Sequence, residues 1–320
     1  MSHEVESVMY VGQTPWYGFG TYVGDNPITS KEAIVAAGLD WDVKLQDIFT
    51  GTMLPTPILN DVDTHKAVVR QSDNQVLGVV GNRYQPIQNV EAFQFMDGLV
   101  DDGSMRYHTA GSLRDGKRVW LLGKVGSYDV VDGDQVDEYL FLWNSHDGST
   151  ALRCLPTTVR VVCANTARVA LAKGVKDGIR LHHTSNIKCN MLQAQEVLKL
   201  SQSSLSSFRS NAVHLAGKQI NTKTLDTFVT NLFPDPPKDV RKTRVEKARE
   251  DVTRLFEDGT GNALPGVKGT AWAAFNAVTE YSNYYRAARG QNKQERRLEQ
   301  TLFGTGANLI DKAQSLLLAA

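Results

Sequence analysis

Three groups of side chains in this sequence are of types that do chemistry. Asn144-Ser145-His146-Asp147 holds the residue types of a nucleophile, a base and an orienting acid. Consecutive residues cannot set three side chains in the triad arrangement, and His146-Asp147-Gly148 between two apolar runs is a hairpin signal. The stretch therefore reads as a turn without a catalytic residue. Cys154, Cys163, His182, His183 and Cys189 are of metal-ligating type. None falls in the C-x-x-C or H-x-x-x-H spacings that make a zinc site readable, so neither a metal nor a cofactor is expected, and Cys154 and Cys163 read as small core residues of strands.

The third group is cationic. Arg160, Arg168, Lys173, Lys176, Arg180 and Lys188 stand between Thr157 and Asn190 with Asp177 alone against them, a net charge of plus five. Immediately before, Val125 to Thr150 holds six acids and no Lys or Arg, a net charge of minus six that reads as a solvated connection. The whole chain balances 35 basic against 35 acidic residues, so the charge is segregated rather than in excess. Asn165, Thr166, His182, His183, Thr184 and Asn186 lie among the cations, a mixture that suits a nucleic-acid backbone. Arg83, Arg114, Lys117 and Arg118 fall on hairpins and would extend such a groove, and Tyr84 or Tyr107 would stack bases.

Two further patterns read as structure. Gly304-Thr305-Gly306-Ala307 lacks the Lys-Ser/Thr of a phosphate loop and leads into a helix. Trp272, Phe275, Val278, Tyr281 and Tyr285 recur at helical spacing, which is what core packing requires.

These residues need elements to aim them. The first fifty-odd positions read as an irregular lead-in broken by Pro15, Gly18, Gly20 and Gly24, with one helix capped at Thr29 or Ser30 and ended at Gly38. From His65 onward, HKAVVR and QVLGVVG, MRYHTAGSL and RVWLLGKV, and DEYLFLWNS and STALRCLPTTVRVVC form three successive hairpins joined by turn residues. NVEAFQFMDGLV between the first two carries apolar residues at helical spacing. Past Met191 the pattern is helical, interrupted at LFPDPPKDV, where Pro234, Pro236 and Pro237 stop any helix, and a last helix begins near Asn308.

The fold class is thus α+β: an antiparallel sheet with an inserted helix in residues 1–190, then a helical region in residues 191–320. At 320 residues, two structural regions are expected. No stretch approaches the roughly 18 apolar residues of a membrane span, and no basic-then-apolar leader opens the chain. Three cysteines, an odd and sparse set, fit a reduced compartment, and the cytoplasm is expected.

GNRYQPIQNVEAFQFMDGLV, HTAGSLRDGKRVWLLGKV, NSHDGSTALRCLPTTVRVVCANTARVAL and GTAWAAFNAVTEY together resemble the phage/plasmid-like family known as domain of unknown function 932, or DUF932. TPWYGFGTYV and the segment ending AAGLDWDV fit the same pattern, with Tyr17 and Phe19 standing where His and Leu are the family's residues. The resemblance implies phages, prophages and plasmids in bacterial cytoplasm, and carries no catalytic residues with it. Tyr84-Gln85-Pro86-Ile87 ahead of a helix is also similar to a segment of phage single-strand annealing proteins of the Erf and RecT kind. The expectation is a single-stranded DNA-binding protein that assists annealing, recombination or replication, more binding protein than enzyme, acting as a homo-oligomer. The alternatives are a nucleotide- or protein-directed enzyme or host-directed effector, and a purely structural interaction protein.

Overall fold

The computed structural model describes residues 5–12, 20–52, 58–162, 165–168, 178–237, 242–288 and 293–320. In chain order its first elements are β1 (Val5–Tyr10), β2 (Thr21–Tyr22), α1 (Ser30–Ala36), β3 (Val43–Thr52), β4 (Ile58–Arg70), β5 (Val76–Gly81), α2 (Asn89–Asp101), β6 (Arg106–Leu113), β7 (Arg118–Asp129), β8 (Gln135–Ser145), β9 (Leu152–Arg160), β10 (Asn165–Arg168) and β11 (Ile179–Leu181). The fold is α+β as expected. The lead-in is more ordered than its composition suggests, because it holds β1 and β2; the alternation of Trp41 and Val43 with Asp40, Asp42 and Lys44 indicates a strand, and β3 begins at Val43. VESVMY is too short to show a clear period, and its pairing with β6, Met9 opposite Ala110, makes it a strand.

Two compact units interleave along the chain, one of Met1–Val125, Leu140–Leu155 and Gly178–Lys199, the other of Gly126–Tyr139, Pro156–Asp177 and Leu200–Ala320. Strands β7, β8 and β9 each begin in one unit and continue into the other.

In the first unit β1 joins the sheet beside β6, with β2 added in parallel on its far side. That parallel pair departs from an otherwise antiparallel pattern. At Gly111 the two strands approach so closely that a Cβ would come within 2.3 Å of the Ser7 carbonyl oxygen. The β6–β7 turn places Arg114 and Asp115 at φ 55° and 56°, as a hairpin of this kind requires. Apolar residues of α2, among them Phe93, Met96 and Leu99, pack with Met9, Leu121, Leu142 and Cys154 of the strands. Truncating Phe93 to alanine there removes about 3–5 kcal/mol. A separate three-stranded sheet, β3-β4-β5, has its own small core of Val43, Val68, Leu77, Val80 and Tyr84.

The start of α2 is fastened to the segment before β3. Gln88 Nε2 donates to the Val43 carbonyl at 3.0 Å and Gln88 Oε1 accepts from Val43 N at 2.9 Å. One residue on, Asn89 Nδ2 donates to the carbonyls of Leu39 and Trp41. The amides of Gln88 and Asn89 thereby satisfy main-chain groups that the short connection would leave bare.

In the second unit β10 pairs with the outer half of β9, Arg168 opposite Thr157. Helices follow: α3 (Ile187–Ala216), which starts in the first unit, α4 (Thr222–Leu232), α5 (Thr243–Asp258), α6 (Ala271–Glu280), a π-helical turn at Tyr281–Tyr285, α7 (Lys293–Phe303) and α8 (Thr305–Ala319). The proline-rich stretch separates α4 from α5, as expected. Gly304 separates α7 from α8, so the expected last helix begins three residues earlier than its periodicity indicated. Trp272, Phe275 and Val278 are buried, and Trp272 and Phe275 stack at 5.4 Å between ring centres. The stripe is core along α6, whereas Tyr281 and Tyr285 fall on the π-helical turn and Tyr285 is exposed. No described helix is long and apolar enough to cross a membrane.

Candidate functional site

Four of the residues assigned to nucleic acid from their types are committed inside the protein. Arg160 on β9 is 3% exposed, and its Nε donates to Asp134 Oδ1 at 2.6 Å. Its Nη atoms donate to the carbonyls of Thr260 and Gly261 and to Asn262 Oδ1. Asp134 Oδ2 accepts from Trp272 Nε1 at 2.7 Å, so the carboxylate is bonded through both oxygens. The acidic stretch expected to be solvated therefore supplies the counter-ion that takes Arg160 out of reach of a phosphate.

Arg118 is also buried, its guanidinium over the Trp143 ring and one nitrogen donating to Ser149 Oγ. Tyr84 donates its hydroxyl to the Ser145 carbonyl, and Tyr107 to Asp97 at 2.6 Å and to the Phe93 carbonyl at 3.1 Å. Burial pushes both phenols far above their ordinary pKa. Base stacking needs an open ring face, and neither ring offers one.

The others are placed differently. Arg83 and Arg180 are exposed, and Arg114 and Lys117 are half-buried in the β6–β7 turn. Lys173 and Lys176 lie outside the described residues, as do the side chains of Arg168 and Lys188.

The segments that carry two of the exposed positions are in contact. Gln85 N donates to the His183 carbonyl at 3.1 Å, His183 Nδ1 lies 3.2 Å from the Gln85 carbonyl oxygen, and the rings of Tyr84 and His183 stack at 4.7 Å. The segment carrying Arg83 is thus bonded to the segment carrying Arg180 and the exposed His182. Across the β9–β11 pair, Arg180 sits directly opposite Arg153.

A second centre emerges where sequence spacing indicated only a turn. Asn144, Ser145 and His146, at the end of β8, are completely buried. His146 Nε2 lies 3.0 Å from Asn89 Oδ1. Asn89 spends its amide hydrogens on two carbonyls, so its oxygen faces the ring and His146 Nε2 carries the proton. For His183 the Gln85 carbonyl can only accept, which puts that proton on Nδ1. Burial, then the nearby His183, pushes the His146 pKa down to about 3, with Asp147 opposing. Burial pushes His183 down to about 4 against the pull of the Gln85 carbonyl. Both imidazoles are therefore neutral near pH 7.

Each ring keeps one lone pair without a partner, at His146 Nδ1 and His183 Nε2, and Asn144 Oδ1 is also unbonded. Asn144 Nδ2 reaches toward the Ile87 carbonyl at 3.5 Å, on the same approach to α2 that His146 uses. Ser145 and Asp147 are bonded to each other, Oγ to Oδ1 at 2.8 Å, and neither is the ring partner of His146. The triad geometry is absent, as the hairpin reading requires. What that reading missed is the burial. His146 and His183 are 37 positions apart, and only the fold brings the second histidine to the first. Among the described residues, no group of three or more His, Cys, Asp or Glu side chains is arranged to hold a metal.

Searches of curated proteins and of solved structures each find no match. A family model described as domain of unknown function (DUF932) matches residues 76–303, a span that runs from β5 to the end of α7 and takes in Arg83, Arg180 and the buried histidines. The chain belongs to the DUF932 family.

Proposed function

We propose that this chain binds single-stranded DNA and assists its annealing in the recombination or replication of a phage, prophage or plasmid, as a homo-oligomer in the cytoplasm of a bacterial host. The observation that carries the reading is the Gln85–His183 pair of contacts, which fastens the Arg83 segment to the Arg180–His182 segment and gives exposed cations a shared, rigid base. Arg180 itself is exposed on β11 and available to a phosphate. Lys173 and Lys176 belong to the stretch that leads into β11, and Lys188 follows it. The contacts are to backbone phosphate, so little sequence preference is expected.

Fluorescence anisotropy with a labelled single-stranded oligonucleotide tests this. Arg83→Glu with Arg180→Glu weakens binding, and the wild-type affinity falls steeply with added salt. An affinity indifferent to both the charge reversal and the salt removes the proposal.

A second reading, an enzyme or effector directed at nucleotides or proteins, is favoured by a different observation. The buried centre around His146 and His183 gathers polar side chains from β8, α2 and the segment after β11. There Asn144 Oδ1, His146 Nδ1 and His183 Nε2 are buried without a hydrogen-bond partner.

A further inference from the structure

His146 and His183 share an arrangement that points to a specific occupant. In each, one ring nitrogen donates to a fixed oxygen, Asn89 Oδ1 or the Gln85 carbonyl, and the other nitrogen presents a bare lone pair inside the protein. Metal-ligating histidines are held in this way: the outer hydrogen bond sets the tautomer and ring orientation and leaves the opposite nitrogen to the ion. Asn89 is itself fixed by the Leu39 and Trp41 carbonyls, and the His183 ring by its stack on Tyr84, so neither imidazole is free to turn.

The third open atom, Asn144 Oδ1, is again an acceptor and lies two residues before His146 on β8. The hydroxyl of Tyr84 and the amide hydrogens of Asn89 already serve carbonyls. Buried acceptors left unmet cost about 1–3 kcal/mol each. Two imidazole lone pairs, each opposite a hydrogen-bonded ring nitrogen, suit a borderline-soft divalent ion such as zinc, cobalt or nickel.

We propose that the first unit binds one divalent transition-metal ion through His146 Nδ1 and His183 Nε2, with Asn144 Oδ1 as a third donor and remaining positions open to water or a substrate. Two histidines from distant segments and one amide form a donor set that ligand spacing cannot reveal. No exposed cation takes part in the site, although the Gln85–His183 contact serves both readings.

The test uses the full chain, stripped with chelator and titrated with Co2+ alone. The expected result is one equivalent of Co2+ per chain with a visible absorption band of a low-coordinate site, displaced by Zn2+. His146→Gln and His183→Gln each abolish the band, while His182→Gln, at an exposed neighbouring histidine, keeps it. Asn89→Ala, which removes the outer hydrogen bond of His146 together with the bonds to the Leu39 and Trp41 carbonyls, weakens binding by about 10–100-fold. Far-UV circular dichroism verifies the fold of each variant, and should His146→Gln fail to fold, His183→Gln and the wild-type spectrum still decide. A wild-type spectrum no different from Co2+ in buffer overturns the proposal, as does a folded histidine variant that binds as the wild type does.

Discussion

Asp134 and Arg160 form an ion pair at 2.6 Å in which the arginine side chain is 3% exposed and the aspartate is not exposed at all. Trp272 and the chain at residues 260–262 satisfy the rest of both groups, so β9, the acidic stretch and the helices of the second unit meet at a fully bonded pair. Removing one partner leaves the other charge buried alone. Asp134→Ala is expected to cost about 3–5 kcal/mol in urea denaturation, whereas the double change Asp134→Leu with Arg160→Met costs much less than the sum of the single ones.

The buried tyrosines separate structure from DNA binding. Tyr84→Phe forfeits one hydrogen bond to a carbonyl, about 1 kcal/mol, and Tyr107→Phe loses its bond to the Asp97 carboxylate as well, about 2 kcal/mol. Neither variant is expected to change the affinity for single-stranded DNA. A clear loss of affinity in a folded Tyr107→Phe variant contradicts the burial described above.

Arg83 and Arg180 are expected to govern the salt dependence. Each phosphate contact removed lowers the slope of log affinity against log salt by about 0.7 on a single strand. Reversal of both charges should therefore flatten the plot by more than one unit, measured by anisotropy at several salt concentrations.

The Cys154 thiol, buried in the core of the first unit, is pushed well above its ordinary pKa by desolvation alone. It is expected to resist thiol reagents in the native state and to react only as the protein unfolds. Labelling kinetics in a background where Cys163 and Cys189 are replaced by serine measure this directly. Rapid labelling without denaturant refutes it.

Arg70 clamps two acids from different elements, Glu6 at 2.8 Å and Asp73 at 2.7 Å. Its hydrogen bond to Asp73, followed by one from Gln75 N, holds the Asp73 carboxyl below the ordinary 3.8. Because the unfolded chain takes up that proton more readily, the stabilisation is present above the ordinary value and fades as pH falls through the depressed native one. The stability gap between wild type and Asp73→Asn should narrow toward zero in acid. A gap independent of pH removes the linkage.

The hairpins were legible because their signals are local. Asp115-Gly116 and Asp147-Gly148 sit between apolar runs, and the backbone conformation of such a turn is set by the turn residues themselves. The inserted helix α2 and the buried stripe on α6 were legible for a similar reason, since a helical period repeats within a dozen residues. β1 was not. Six residues carry too little pattern, and its strand state comes from a partner a hundred positions away.

Charge is where sequence and structure part most clearly. By itself the sequence determined the α+β class, the family resemblance and the segregation of acids from bases, because these depend on composition and on periods shorter than one element. Which cations face water was decided by the tertiary structure alone: Arg160 is neutralised by Asp134, while Arg180 stays outside. The same holds for His146 and His183. A side chain's solvent and partners are properties of packing between distant segments, and no local spacing encodes them.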